Sequence, residues 1–266
     1  MSCIHGYFEL TRLHKPFLGN TLLFWPCAWG LTIAARVVAL PLACFTTTLL
    51  LFGLGSMLLH SAACVLNDIC DVKFDRQIAR TKDRSLPAGK VSLSGAWTLC
   101  CALLLSLFFS LGALGIFPLS ALYPLMKRWT WWPQAWLGLT FGWGIPVAWT
   151  TITGMFPPIP VWVLYAGGVC WTIIFDTIYA CQDWADNSRV GVRSTALLFG
   201  KHTRPALVSI ATIMLLCLVC AGYQLRLGVG FSILLCGGTL VHMMWQVTTW
   251  DEADPKDHHA KFKVSS

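Results

Sequence analysis

The chain has 266 residues, of which 56% are hydrophobic and only 12% charged, and its formal net charge is +7. The charged share is about half that of a soluble domain, and the mean hydropathy is +0.64. These values exclude a disordered chain, a nucleic-acid-binding module and an ordinary soluble enzyme, and they are those of an integral membrane protein. At about 20 apolar residues per span, such a length holds about eight spans and their loops as a single domain over residues 1–266.

The first sixteen residues contain Glu9 and only two basic residues, Arg12 and Lys15, so they resemble neither a signal peptide nor an Arg-rich transit peptide. Apolar runs follow at 17–35, 41–66, 94–112, 114–126, 133–151, 159–180, 205–223 and 228–249. The fourth is short for a span. Fused with the third it would make a helix of about 50 Å, too long for the bilayer, and Gly112, Gly115 and Pro118 supply a break. Eight helices then place the N-terminus, 67–93, 127–132, 181–204 and the tail on one face. Of the 19 Lys and Arg only Arg36 and Arg226 fall on the other face, and all 12 Asp and Glu fall on the first. The basic bias makes the first face cytosolic. That rule is indifferent to acids, so their one-sidedness points to a polar working site. The 12 cysteines sit mostly inside apolar runs and imply packing rather than a disulfide framework. The tail 250–266 reads as polar and solvated.

The second run ends in Asn67-Asp68-Ile69-Cys70-Asp71-Val72-Lys73-Phe74-Asp75. Asp68, Asp71 and Asp75, spaced i, i+3, i+7, share one face of a helix. Three stacked carboxylates repel one another, and each costs about 2.5–3.5 kcal/mol near a membrane centre. A cation, a position at the membrane edge, or pairing with Lys73 and Arg76 would each relieve this. The sixth run ends in Asp176-Thr177-Ile178-Tyr179-Ala180-Cys181-Gln182-Asp183-Trp184-Ala185-Asp186-Asn187, whose acids again fall broadly along one side. Carboxylates with amide carbonyls suit Mg²⁺, which readily shares its ligands with a phosphate.

Basic segments lie beside both clusters: Arg80-Thr81-Lys82-Asp83-Arg84, Tyr123-Pro124-Leu125-Met126-Lys127-Arg128 and Arg189-Val190-Gly191-Val192-Arg193-Ser194. Acids that bind metal, ringed by Lys and Arg, suit an anionic phosphate ligand. Positive-inside anchoring accounts for most of these residues, and Lys127 and Arg193 are singled out as functional. The 14 Trp, concentrated at 129–149, fit an interfacial belt or packing. His60 and His242 read as packed histidines.

On four stretches in order, the chain resembles the UbiA family of membrane prenyltransferases, in its 4-hydroxybenzoate polyprenyltransferase-like branch. These are Asn67–Asp75 (N-D-x-x-D-x-x-x-D), 80–89 (RTKDRSLPAG), Tyr123–Arg128 with the following WWPQAWLGLTFGWG, and 176–200. The resemblance runs from about Leu10 to the tail. It implies an all-α membrane bundle, usually of nine helices, with a central cavity under a polar cap. It also implies two Mg²⁺, one per acidic cluster, bridging the diphosphate of an allylic isoprenoid. Carried over by position, Asn67, Asp68, Asp71 and Asp75 match the first motif. Asp183 and Asp186 match the second, and Lys127 and Arg128 match the basic pair. Arg193 stands where Lys is more frequent. Asn187 replaces an Asp of the second motif and brings an amide oxygen without charge. Asp83 and Ser85 stand where the branch often has Asn and Pro. Against the usual nine, the ninth helix is expected to be missing, since 251–263 is similar only to the connection leading to it.

The resemblance therefore implies Mg²⁺-dependent aromatic prenyl transfer. Asn67, Asp68, Asp71, Asp183, Asp186 and Asn187 are the expected metal ligands, and Tyr123, Lys127, Arg128 and Arg193 the expected diphosphate contacts. Asp75 or Asp176 would orient the acceptor or take its proton. The expected donor is farnesyl diphosphate and the acceptor a polyketide-derived phenolic acid, in the endoplasmic reticulum membrane. Three other readings stand beside it: 4-hydroxybenzoate polyprenyl transfer in the mitochondrial inner membrane, a membrane terpene cyclase, and an inactive truncated membrane protein. No nucleic-acid or obligatory protein partner is expected.

Overall fold

The computed structural model describes residues 3–14, 20–108, 111–252 and 254–265, and among these every regular element is helical. A short helix α1 (Cys3–Leu10) precedes α2 (Asn20–Val37) and the 34-residue α3 (Leu42–Asp75). At 1.5 Å per residue α3 is about 51 Å long, well beyond a hydrocarbon core of about 30 Å. The sequence puts the end of this run at residue 66. The helix instead continues through the acidic segment, so Asp68, Asp71 and Asp75 ride on the turns that project from the apolar layer.

A turn-rich loop at 76–92 leads to α4 (Leu93–Phe108), which the Ser92 hydroxyl caps by accepting from Gly95 N–H at 3.1 Å. Next comes α5 (Leu111–Trp129). Gly112, Gly115 and Pro118 were expected to break the chain here, yet they lie within α5, which makes it 19 residues long. Residues 109 and 110, between the two helices, lie outside the described residues. The single helix expected at 133–151 is two, α6 (Pro133–Gly142) and α7 (Gly144–Thr153), joined at Trp143. Trp143, flanked by Gly142 and Gly144, keeps right-handed helical dihedrals at the junction. Gly154, at φ 67, ends α7 in the left-handed conformation that glycine adopts without strain.

The long helix α8 (Ile159–Ala180) passes through a 3₁₀ turn at Cys181–Asp183 into α9 (Trp184–Val190). Then follow α10 (Thr195–Phe199), α11 (Thr203–Gln224), a π-helical segment Phe231–Gly237, α12 (Gly238–Thr249) and α13 (Pro255–Ser265). Among the described residues, four stretches are long and apolar enough to cross a membrane: Leu42–Asp75, Ile159–Val190, Thr195–Gln224 and Phe231–Thr249. Shorter apolar helices cover Thr21–Val37 and Leu93–Leu105.

The centre of the molecule is α8, packed against α11 on one side and α6 on the other. Trp171, Ile174, Phe175 and Ile178 meet Leu207, Met214 and Leu218 in the larger core cluster. A second cluster joins Leu10, Val65, Ile69, Leu86, Val91, Ala96 and Cys100, and so ties α1 and the 76–92 loop to the acidic end of α3. At the opposite end Arg36 donates to the carbonyls of Leu227 (2.6 Å) and Arg226 (3.1 Å). The two far-face arginines thus meet at one corner, where the chain's sidedness puts them.

The tail is not solvated as its polarity suggested. Helix α13 lies on α8, with Phe262 only 7% exposed and 4.4 Å from the Tyr179 ring. Lys261 donates to the Thr249 hydroxyl and sits over the Trp245 ring, and the Asp257 carboxylate accepts from Asp251 N–H. The helix buries a narrow stripe, and so few apolar residues per turn give it no strong amphipathic signature in the sequence.

Candidate active site

One face of the projecting end of α3 carries the first acidic cluster. Asp68, 1% exposed, receives two hydrogen bonds from Arg12 at 2.9 and 2.7 Å and a third from Arg84 at 3.3 Å. Arg84 also reaches Asp75 at 3.0 Å. The Thr81 hydroxyl donates to the Asp75 carbonyl at 2.9 Å, which folds the 76–92 loop back over the helix end. Burial works against the charge on Arg12, but Asp68 more than offsets it, so the guanidinium holds its proton more tightly than usual.

The second wall is the end of α5. The Lys127 ammonium donates to Asn67 Oδ1 at 3.3 Å and Asp71 Oδ2 at 3.1 Å, and lies 5.1 Å from the Tyr123 ring centre. Tyr123 and Lys127 are one helical turn apart, which is why they stack. Arg128 donates to the Cys70 carbonyl at 2.8 Å and sits 3.6 Å from Asp71. The Arg193 N–H donates to the Lys127 carbonyl at 2.9 Å, so the loop after α9 is stapled to α5 and the two cations share one rim. The Arg193 side chain donates to the Trp129 carbonyl at 3.0 Å and stacks on Trp131 at 5.5 Å.

The third wall is the end of α8. Arg80 grips Asp183 through Nε, with 3.0 Å to each carboxylate oxygen, and donates to the Tyr179 hydroxyl at 3.2 Å. Burial disfavours its charge and Asp183 more than restores it, so Arg80 also holds its proton above the ordinary value. Asp176, one and two turns inward, accepts from Gln134. The Gln134 carbonyl oxygen in turn accepts from Thr195 N–H at 3.1 Å, which turns the Gln134 amide toward Asp176. Asp186 takes a different direction: it accepts from Ala79 N–H at 3.3 Å and lies 3.6 Å from Arg189. The 3₁₀ turn at Cys181–Asp183 shifts the helical register, so the face projected from Asp176 does not extend to Asp186.

These walls enclose a cavity of about 810 Å³, lined by Asn67, Asp68, Asp71, Asp75, Asp176, Asp183 and Asn187 together with Tyr123, Lys127, Arg128 and Arg193. Every site residue expected from the sequence therefore lines one space except Asp186, which clasps the 76–92 loop. Leu137, Phe141 and Ala63 supply apolar lining. The aromatic residues on the lining are Phe and Tyr; no Trp is among them. His60 also faces the cavity, with Nε2 3.4 Å from Cys64 Sγ.

Sequence reasoning missed Arg12, Gln134, Tyr179 and the α13 pair His259 and Phe262, all on the lining. A Gln at the mouth of an apolar run was a usable signal for Gln134. Nothing local marks Arg12, whose partner is 56 positions away.

Among the described residues no three His, Cys, Asp or Glu converge into a ready metal cage. The donor set is nonetheless the one a hard divalent cation takes, with carboxylate and amide oxygens and no thiolate or imidazole. Its present partners are Arg and Lys side chains long enough to swing to a phosphate. The residues fit Mg²⁺.

The family model described as the UbiA prenyltransferase family matches residues 23–266. A UbiA prenyltransferase, claS, of Ampulloclitocybe clavipes is 43% identical over 265 residues, covering 96% of this chain and 84% of that one. The mitochondrial 4-hydroxybenzoate polyprenyltransferase of Arabidopsis thaliana is 40% identical, covering 97% of this chain and 65% of the relative. Among solved structures, a UbiA homolog from Aeropyrum pernix superposes with a TM-score of 0.72 at 23% identity, over 100% of this chain and 95% of that one. One from Archaeoglobus fulgidus bound to GPP and Mg²⁺ does so at 0.68 and 17%, over 98% and 95%. The match over nearly the whole chain, and identity of this level, place the protein in the UbiA family of membrane prenyltransferases.

Proposed function

We propose that this prenyltransferase moves a farnesyl group from its diphosphate to the ring of a polyketide-derived phenolic acid, within the cavity between α3 and α8. The observation that carries this reading is the juxtaposition of two acid-bearing helix ends and three cations, Lys127, Arg128 and Arg193, around one space with an apolar side. Asn67, Asp68 and Asp71 would hold one Mg²⁺, and Asp183 with Asn187 a second, with Asp186 acting through the loop it clasps. Bound there, Mg²⁺ supplies Lewis-acid neutralisation of the diphosphate.

The residues of the chain account for the rest. Lys127 and Arg193, once turned from their present partners to the phosphate, take up the charge that develops as the allylic C–O bond breaks, an electrostatic contribution. Tyr123 and Phe141 face the allylic cation and keep water from it. A new bond forms between that carbon and the acceptor ring, and the ring loses a proton. Asp176, oriented by Gln134, is the carboxylate placed to receive it; Asp75 is bound to Arg84 and serves as a brace. The single domain spans the whole chain in this reading.

The claS relative supports prenyl transfer as the reaction, and the plant relative's name supports 4-hydroxybenzoate as the second reading of the acceptor. The compartment follows the acceptor: endoplasmic reticulum for the first, mitochondrial inner membrane for the second. Purified protein with Mg²⁺ should be offered farnesyl and longer polyprenyl diphosphates against methylated orsellinic acids and 4-hydroxybenzoate. The reading expects the highest kcat/KM for the farnesyl and orsellinic-type pair. A higher value for a long chain with 4-hydroxybenzoate selects the second reading, and a free terpene without acceptor overturns both.

A further inference from the structure

The 76–92 loop, α8 and the tail helix meet in a column of stacked groups that leads from the site's rim into the core. Arg80 lies 5.3 Å above the Tyr179 ring and donates to its hydroxyl. The Tyr179 ring is 4.4 Å from Phe262, and Phe262 is 5.7 Å from Phe175. Phe175 continues to Trp171 at 5.0 Å, and Trp171 to Trp29 at 5.3 Å. At its outer end the same Arg80 holds both oxygens of Asp183.

From α13 two rings reach Tyr179, Phe262 at 4.4 Å and His259 at 6.3 Å, and of the two only Phe262 goes on to Phe175. The tail that carries it is fixed at several points. Lys261 is bound to Thr249 and lies over Trp245, Asp257 accepts from Asp251 N–H, and Arg204 donates to the Trp250 carbonyl at 2.7 Å. A helix anchored only to cover apolar surface would not need its buried ring to form part of the cavity wall. Phe262 and His259 both line the cavity.

We propose that Phe262 is a positioning residue of the transferase. It holds the Tyr179 ring from behind, Tyr179 holds Arg80 by its face and hydroxyl, and Arg80 sets the direction of Asp183 and is itself available to the diphosphate. The docked tail is thus a working part of the diphosphate site. Without the ring, Tyr179 gains rotational freedom and Arg80 loses the platform that fixes its guanidinium plane. This inference rests on the proposed reading of the cavity as an isoprenyl diphosphate site.

The test is equilibrium binding of farnesyl thiolodiphosphate, which resists turnover, to the detergent-purified full chain with Mg²⁺. The variants are Phe262→Leu, which keeps apolar volume and removes the ring, Arg80→Ala, and the two combined. Phe262→Leu is expected to weaken binding roughly five- to tenfold, the scale of a lost ring–cation platform. It should leave KM for the aromatic acceptor unchanged. In the Arg80→Ala background the same substitution should have no further effect, because the residue through which it acts is gone. Multiplicative losses in the double variant, or wild-type binding by Phe262→Leu, would overturn the proposal. If Phe262→Leu does not fold, Lys261→Ala, which loosens the tail from α12 and leaves the column's side chains intact, is expected to weaken analogue binding in the same Arg80-dependent way. Undiminished binding would again overturn it. A wild-type protein that binds no analogue contradicts the reading of the cavity itself, and with it this inference.

Discussion

At the scale of single residues, the site is a problem of charge balance. Eleven acids or amides and seven Lys or Arg line one space, and each buried carboxylate has a cation or an amide donor. Lys127 is the pivot, since it touches Asn67, Asp71 and the Tyr123 face together. Lys127→Met is expected to lower kcat/KM for the isoprenyl diphosphate by about 10²–10³, the usual cost of one preorganised electrostatic contact. Lys127→Arg should recover part of that loss. Steady-state kinetics with the diphosphate varied checks this, and an unchanged kcat/KM in Lys127→Met would remove Lys127 from the site.

Much of this level was legible in the sequence. The i, i+3, i+7 spacing of Asp68, Asp71 and Asp75 fixes their common face once the segment is helical, and α3 is. Asp186 lies off the lining because three residues of 3₁₀ geometry break the 100°-per-residue projection, and a sequence carries no mark of that turn. Arg12 was invisible for a different reason: contacts between residues far apart in the chain leave no local periodicity.

At the scale of elements, close helix packing delivers the walls to one another. Helices α2 and α7 touch where Gly30 faces Ile145: a Cβ built at Gly30 would lie 2.5 Å from the Ile145 carbonyl oxygen and 3.1 Å from Ala148 Cβ. Small residues permit such approaches between membrane helices. Gly30→Val should destabilise the protein by about 1–3 kcal/mol through overpacking, read as a lower melting temperature in detergent. An unchanged melting temperature would show that α2 and α7 are not held this closely. Elements were the least legible level. The apolar runs located the helices, but not their ends. The second apolar run stops at residue 66, and α3 carries on through the polar residues 67–75. The tail's polarity suggests solvation, yet buried His258, Lys261 and Phe262 are enough to dock it. Glycine and proline do not break α5, where they sit inside the helix, whereas Gly154 does end α7.

At the scale of the molecule, the charges separate as the sequence requires. The acidic helix ends, the 76–92 loop and the tail gather at one end, and Arg36 and Arg226 close the other. This arrangement sets the polar space at the end that carries the acids, with apolar lining beside it. The fold class and sidedness were legible because both follow from composition along the chain, whereas the closure of the cavity by α13 depends on tertiary packing alone.

The central claim is that the two acid-bearing helix ends form one Mg²⁺-dependent prenyl-transfer site. The most direct measurement is product mass from membranes containing the full chain, farnesyl diphosphate and phenolic acids, with and without EDTA, beside membranes containing Asp71→Ala at matched protein levels. The account predicts a product heavier than its acceptor by one isoprenyl group, lost with EDTA and lost in Asp71→Ala. Product at the wild-type rate in EDTA or in Asp71→Ala, or none from folded wild-type protein with any acceptor, would contradict it.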